Sequence, residues 1–199
     1  MGANCAALQR PRREHKMMVL GLDNAGKTSI LLQMKQVAVV PVASTVGFNL
    51  ESIRCQDLDF AVWDLGGEAK NRQMWRIYFK NTISFIFVFD STDRGRSVEA
   101  REELKEVLKD DNLRGVCLMV LANKSDLPEA MSSMEVAEEL ELAHITDRKW
   151  SVQSTSATSG QGINQAIEWI KETISEREYK KNLGSSRQTI REGSVNDNK

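Results

Sequence analysis

The chain has 199 residues, 41% of them hydrophobic and 28% charged, a composition that suits one globular domain with a sizeable core. Its longest fully apolar run, Val116–Ala122, is far too short to span a bilayer, and no secretory signal is expected. Three scattered cysteines, Cys5, Cys55 and Cys117, exclude a disulfide framework and point to a reducing compartment. His15 and His144 are too few and too isolated to make a metal cluster. The formal net charge of −1 is unevenly spread. Arg10, Arg12, Arg13 and Lys16 stand against Glu14 at the N-terminus, and Lys180, Lys181, Arg187, Arg191 and Lys199 against Glu192 and Asp197 at the C-terminus. Basic ends on an acidic body suit nucleic acid, an anionic membrane, or simply solvated tails.

In chain order, residues 17–22 ("MMVLGL") read as a buried strand and "KTSILLQMKQ" as a helix. Residues 37–47, with Pro41 and Gly47, read as a loop. "FNLESIRC" and "LDFAVWD" flank "QD" and predict a hairpin. "ISFIFVFD" and "VCLMVLAN" are apolar runs of the kind covered on both faces of a sheet, with a helix over 97–109 between them. A short helix over 133–141 and a last strand in "KWSVQST" follow. The final helix carries Ile163, Ile167, Ile170 and Ile174 on one stripe, expected to face the core. From residue 180 the chain is polar and is expected to be disordered. Strands alternating with helices predict an α/β fold with a mostly parallel sheet and helices on both faces, its ligand beyond the carboxyl ends of the strands.

Gly21-Leu22-Asp23-Asn24-Ala25-Gly26-Lys27-Thr28 fits G-x-x-x-x-G-K-[ST] in full, between a strand and a helix as the mechanism requires. Backbone N–H groups of such a loop wrap a β-phosphate, aided by the helix N-terminus. Lys27 is placed to reach the β- and γ-phosphates and the Thr28 hydroxyl to ligate Mg²⁺; Asp23, Asn24, Ala25, Gly26 and Ser29 complete the candidate phosphate site. The loop alone does not separate ATP from GTP. Asn123-Lys124-x-Asp126 does, because a carboxylate can accept the N1–H and the exocyclic amine of guanine, neither of which adenine offers there. This disfavours an ATPase or small kinase. Ser156, Ala157 and Thr158 follow the last strand, with the Ala157 N–H available to the guanine carbonyl. The paired glycines of "WDLGGEAK" predict a backbone that approaches something closely, and the carboxylate of Glu68 is an unexpected neighbour for a phosphate.

The motifs "GLDNAGKT", "STVGFNLE", "VWDLGG", "MWRIYF", "ANKSDLP" and "TSATSGQG" together make the chain resemble a small GTPase of the Arf/Arf-like family over about 16–179. The resemblance implies a Ras-like P-loop GTPase fold with a six-stranded sheet around GDP or GTP. It divides the chain into an N-terminal membrane or regulatory segment (1–16), a GTPase domain (17–179) and a polar tail (180–199). It implies that Thr45 ligates Mg²⁺ in the GTP state, that Asp64 holds it through water, and that the Gly67 N–H bonds the γ-phosphate. Loss of those contacts on hydrolysis would relax the loops. Catalysis would then draw on Glu68, Gly67, Lys27 and Thr45. Phe48, Trp63 and Tyr78 match an aromatic trio that partners read, and the hairpin at about 48–64 would slide in register between states. The implied partners are an exchange factor, a GTPase-activating protein, effectors and a membrane surface met through the N-terminus, with the protein a monomer, cytoplasmic and peripheral on intracellular membranes, and active in vesicle or organelle traffic. No nucleic acid is implied.

Two departures from the family pattern matter. Glu68 stands where the family usually has glutamine, whose amide orients the attacking water. A carboxylate accepts from water but cannot donate, so it either impairs hydrolysis or serves as a better base. The alternative to a cycling switch is therefore a GTP-loaded scaffold with negligible turnover. Ser44 also replaces the usual proline of the first switch loop. At the N-terminus, Gly2 is the candidate myristate site, although Ala6 stands where the acylation pattern prefers Ser or Thr. The following segment has only Leu8 as a large apolar residue, and Pro11 restricts any helix. Myristate alone binds membranes marginally, so Cys5 as a palmitate site, or the basic run, would supply the second signal.

Overall fold

A computed structural model describes residues 14–36, 45, 47–55 and 58–193, with side chains of the last helix described as far as Lys180. Six strands, β1 (Glu14–Leu20), β2 (Phe48–Cys55), β3 (Leu58–Leu65), β4 (Ser84–Asp90), β5 (Cys117–Asn123) and β6 (Trp150–Ser154), form one sheet in the order β2-β3-β1-β4-β5-β6. Among the described residues only the β2–β3 hairpin pairs antiparallel, with Phe48 opposite Leu65 and Cys55 opposite Leu58. All other neighbours are parallel.

The period-2 geometry of a strand sends alternate side chains to opposite faces, and β1 shows the consequence. Met18 and Leu20 join a core with Phe85, Phe87, Leu104 and Val136. Met17 and Val19 join a second core with Ile86, Val88, Ile30 and Ile170. The first core is covered by helices α3 (Ser97–Leu108) and α4 (Ser133–Glu139), the second by α1 (Lys27–Met34) and α5 (Ile163–Gly193). β4 and β5 are buried at every position because both of their faces are covered, which is why they read as continuous apolar runs. The four isoleucines of the α5 stripe are all buried, each side chain stabilising the fold by roughly 1.5–3 kcal/mol. The remaining short helix is α2 (Ala69–Arg72), followed by a 3-10 turn over Trp75–Tyr78.

Two boundaries shift by three residues or more from the sequence expectation, and one short helix is unexpected. β1 begins at Glu14 instead of 17, because His15 is buried against Phe60 and the backbone there still pairs with β3. α5 continues to Gly193, through the region that composition predicts as disordered from residue 180. It contains no proline, and extending an established helix adds a hydrogen bond per residue without a new nucleus. The sequence predicts no helix at α2, since four residues carry no readable period.

Candidate functional site

The loops after β1, β3, β5 and β6 emerge at one end of the sheet and meet there. The loop after β1 turns through Gly26 in a left-handed conformation (φ +91°) to start α1. Lys27 is buried, and its Nζ donates to the Leu22 carbonyl at 2.8 Å across the loop. Burial pulls its pKa down to about 8, with Asp64 and Asp23 opposing that fall. Asn24, at φ +61°, is exposed, Ala25 is buried, and Asp23 and Ser29 are half-buried.

The glycines after β3 are explained by what they touch. A Cβ on Gly67 would overlap the backbone of Gly21, Leu22 and Asp23, and one on Gly66 would overlap the Thr45 carbonyl. The segment therefore passes between the phosphate loop and the Thr45 loop at backbone contact. The Gly67 carbonyl accepts from Asp23 N at 3.2 Å, and Gly66 N donates to the Gly47 carbonyl at 2.9 Å.

Thr28, Thr45 and Asp64 come from three separate elements to one point. Thr28 Oγ1 donates to Asp64 Oδ2 at 2.7 Å and lies 3.0 Å from Thr45 Oγ1. Asp64 is fully buried, its Oδ1 has no hydrogen-bond partner among the described residues, and its pKa is raised by burial against the opposing pull of Thr28 and Lys27. A buried carboxylate with a free oxygen beside two hydroxyls is a hard oxygen set, and it fits Mg²⁺.

At the other side of the loop, Asn123 is buried and ties two segments together. Its Nδ2 donates to the Ala25 carbonyl at 2.9 Å, and its Oδ1 accepts the Ala157 N–H at 3.1 Å. The Ala157 N–H, read in the sequence as a donor to the base, is thus directed to Asn123. Lys124, in a left-handed conformation (φ +64°), pairs with Asp90. Asp126 is exposed, Ser156 is buried and Thr158 is exposed. The structure brings Asn123 directly onto the phosphate loop, ties Ala157 to it through the Asn123 amide, and leaves Asp126 exposed.

Phe48, Trp63 and Tyr78 form one cluster, with ring centroids 5.1–5.3 Å apart. Phe48 is 43% exposed, and Leu50 and Ile77 are exposed nearby in sequence. Lys16 Nζ sits 4.9 Å from the Trp63 ring centroid and bonds the carbonyls of Tyr78 and Lys80, a cation–π contact at the base of the cluster. Glu68 is half-buried and pairs with Lys70 at 2.9 Å.

The sequence reading gives no role to Arg72, Trp75 or Arg96, and Lys16 figures there only in the N-terminal basic run. Arg72 Nε donates to the Gly67 carbonyl at 2.6 Å, Trp75 Nε1 donates to the Gly66 carbonyl at 2.9 Å, and Arg96 bonds Asp23 through both its carboxylate and its carbonyl. A tryptophan and an arginine closely following a double glycine were the available signal. Gly2, Cys5, Arg10, Arg12, Arg13 and Ser44 lie outside the described residues.

Comparisons with known proteins agree with this arrangement. The sequence model of the ADP-ribosylation factor family matches residues 1–174. The Arl6 BBS3 small GTPase from Trypanosoma brucei, solved with the bound nucleotide analogue GppNp, is similar at 31% identity. The match covers 82% of this chain and 99% of that one, with a TM-score of 0.76. The chain has the Ras-like GTPase fold and belongs to the ADP-ribosylation factor family of GTP-binding small GTPases.

Proposed function

We propose that this chain is an Arf-like switch that holds GTP with Mg²⁺, recruits effectors in that state at a membrane surface in vesicle or organelle traffic, and returns slowly to the GDP state with help from an activating protein. The observation that carries this reading is the convergence of Thr28, Thr45 and Asp64 beside the Gly66–Gly67 backbone. Thr28 and Asp64 would serve either nucleotide. Thr45, already 3.0 Å from the Thr28 hydroxyl, would be held there by Mg²⁺ while a γ-phosphate is present and released after hydrolysis. Bound Mg²⁺ would neutralise phosphate charge. Lys27 would exchange the Leu22 carbonyl for phosphate oxygens, and the Gly67 N–H would meet the terminal phosphate. Asp126, with Asn123, Lys124 and the 156–158 turn behind it, would select guanine. Phe48, Trp63 and Tyr78 would be read by the effector, since exposed aromatics commonly anchor interfaces.

The test is Thr45→Ala, titrated with GDP and with GppNHp in the presence of Mg²⁺. GppNHp affinity is expected to fall about tenfold or more, as for one lost ligand or charged hydrogen bond, while GDP affinity holds. Equal loss of both nucleotides would contradict the switch reading.

A second reading, a GTP-loaded scaffold with negligible turnover, is favoured by Glu68, whose carboxylate is engaged with Lys70. Single-turnover hydrolysis with and without an Arf-type activating protein separates the two. Glu68→Gln is expected to raise the stimulated rate and leave nucleotide affinity nearly unchanged. A wild type that already matches the variant in both conditions would recast Glu68 as a working base. The membrane part rests on Gly2, Cys5 and the basic run. It predicts a myristoyl mass on Gly2 of the cell-derived protein, and an unmodified Gly2 would remove the myristate anchor.

A further inference from the structure

Arg72 lies in α2 with a side chain only 5% exposed. Besides its bond to the Gly67 carbonyl, its Nη1 donates to Glu99 at 2.7 Å and to Glu103 at 3.1 Å, and its Nη2 reaches Asp23 at 3.4 Å. A buried guanidinium is costly unless its donors are matched. Glu99 and Glu103, one turn apart on α3, repel each other without a cation between them. One arginine therefore answers the charge of α3, closes on the phosphate loop at Asp23, and grips the switch glycine.

The grip acts on a particular torsion. Trp75 holds the Gly66 carbonyl, and in a trans peptide the Gly67 N–H points opposite to it. The next peptide plane is held by its carbonyl, which accepts from both Arg72 and Asp23 N. Both planes flanking Gly67 are thus fixed, at the residue type most free to rotate.

We infer that Arg72 is a positioning residue for triphosphate recognition: it locks the second peptide plane of Gly67 against α3 and the phosphate loop, so that the Gly67 N–H is presented in one direction. This rests on the proposed contact between Gly67 and the terminal phosphate. Arg72 touches no phosphate itself. Its effect is on the preference for GTP over GDP, because the diphosphate has no group at that N–H.

The experiment measures affinities of the full chain for GppNHp and for GDP, both with Mg²⁺, in the wild type, Arg72→Ala, the Glu99→Gln/Glu103→Gln pair, and Thr45→Ala as a control. Arg72→Ala is expected to lower GppNHp affinity by about ten- to hundredfold, the range of one charge-assisted hydrogen bond, with GDP affinity within about twofold. The glutamine pair, whose side chains are partly exposed and can be solvated, is expected to lower GppNHp affinity selectively but less, since the Gly67 bond remains. A purely structural arginine would weaken both nucleotides alike or lower only the melting temperature, and either result overturns the inference. Should Arg72→Ala not fold, an unselective glutamine pair overturns it on its own. If Thr45→Ala is selective and the Arg72 and glutamine variants are not, only this inference fails. If none is selective, the switch reading fails with it.

Discussion

Single residues in this protein are governed by what burial leaves them to bond. Asp64 keeps one oxygen without a partner among the described residues, Lys27 is buried on a carbonyl, and Arg72 is buried among carboxylates. The first two suit a bound metal and a polyanion, and the third suits neither, because its charge is already answered. Cys117 is the bland contrast. Its thiol is buried at the start of β5, and burial pushes its pKa up from 9.0 to about 11, against the smaller opposing pull of Arg177 and Lys149. The folded state therefore keeps its proton over a range in which the unfolded chain has lost it. Below pH 9 the thiol contributes no slope; as pH rises from 9 to about 11 it takes stability away, and above that the loss is complete. Cys117→Val is expected to flatten that part of the stability curve in denaturant titrations at stepped pH, and the native thiol is expected to resist alkylation at pH 8. Fast alkylation of the folded protein would contradict the burial.

Elements show which parts of the structure were legible in sequence. β4 and β5 were, because strands buried on both faces lose their alternation and become continuous apolar runs. The inner stripe of α5 was, because its isoleucines keep helical spacing. The phosphate loop and the Asn123 turn were legible because their chemistry fixes residue types at set offsets. The short α2 helix and the turn after it were not. Their positions are set by Arg72 and Trp75 bonding two glycine carbonyls, a tertiary constraint with no periodic trace. The Ala157 N–H reads from its place after β6 as a donor to the base, and the amide oxygen of Asn123 also lies within its reach. The start of β1 was placed late because Glu14, His15 and Lys16 are polar. Yet His15 packs on Phe60 and Lys16 lies over Trp63, so each has a partner that pattern alone does not reveal.

In the whole molecule, one sheet carries both the nucleotide loops and the surface that a partner would read. The β2–β3 hairpin begins at Phe48, beside the Thr45 loop, and ends at Leu65, beside Gly66–Gly67. Lys16 links β1 to Tyr78 and Trp63. Were the Gly67 N–H to meet the terminal phosphate as proposed, Gly66, Gly67 and Trp75 would give it a covalent and hydrogen-bonded route to the aromatic cluster. Selection of guanine by Asp126 is the central claim, and it can be tested directly. The measurement is competition of GTP, ATP and XTP against a fluorescent GDP, for the wild type and for Asp126→Asn. GTP should displace the probe and ATP should fail to. Asp126→Asn should lose most of its GTP affinity and gain XTP, whose altered edge suits an amide. A wild type on which ATP competes as well as GTP would contradict the account.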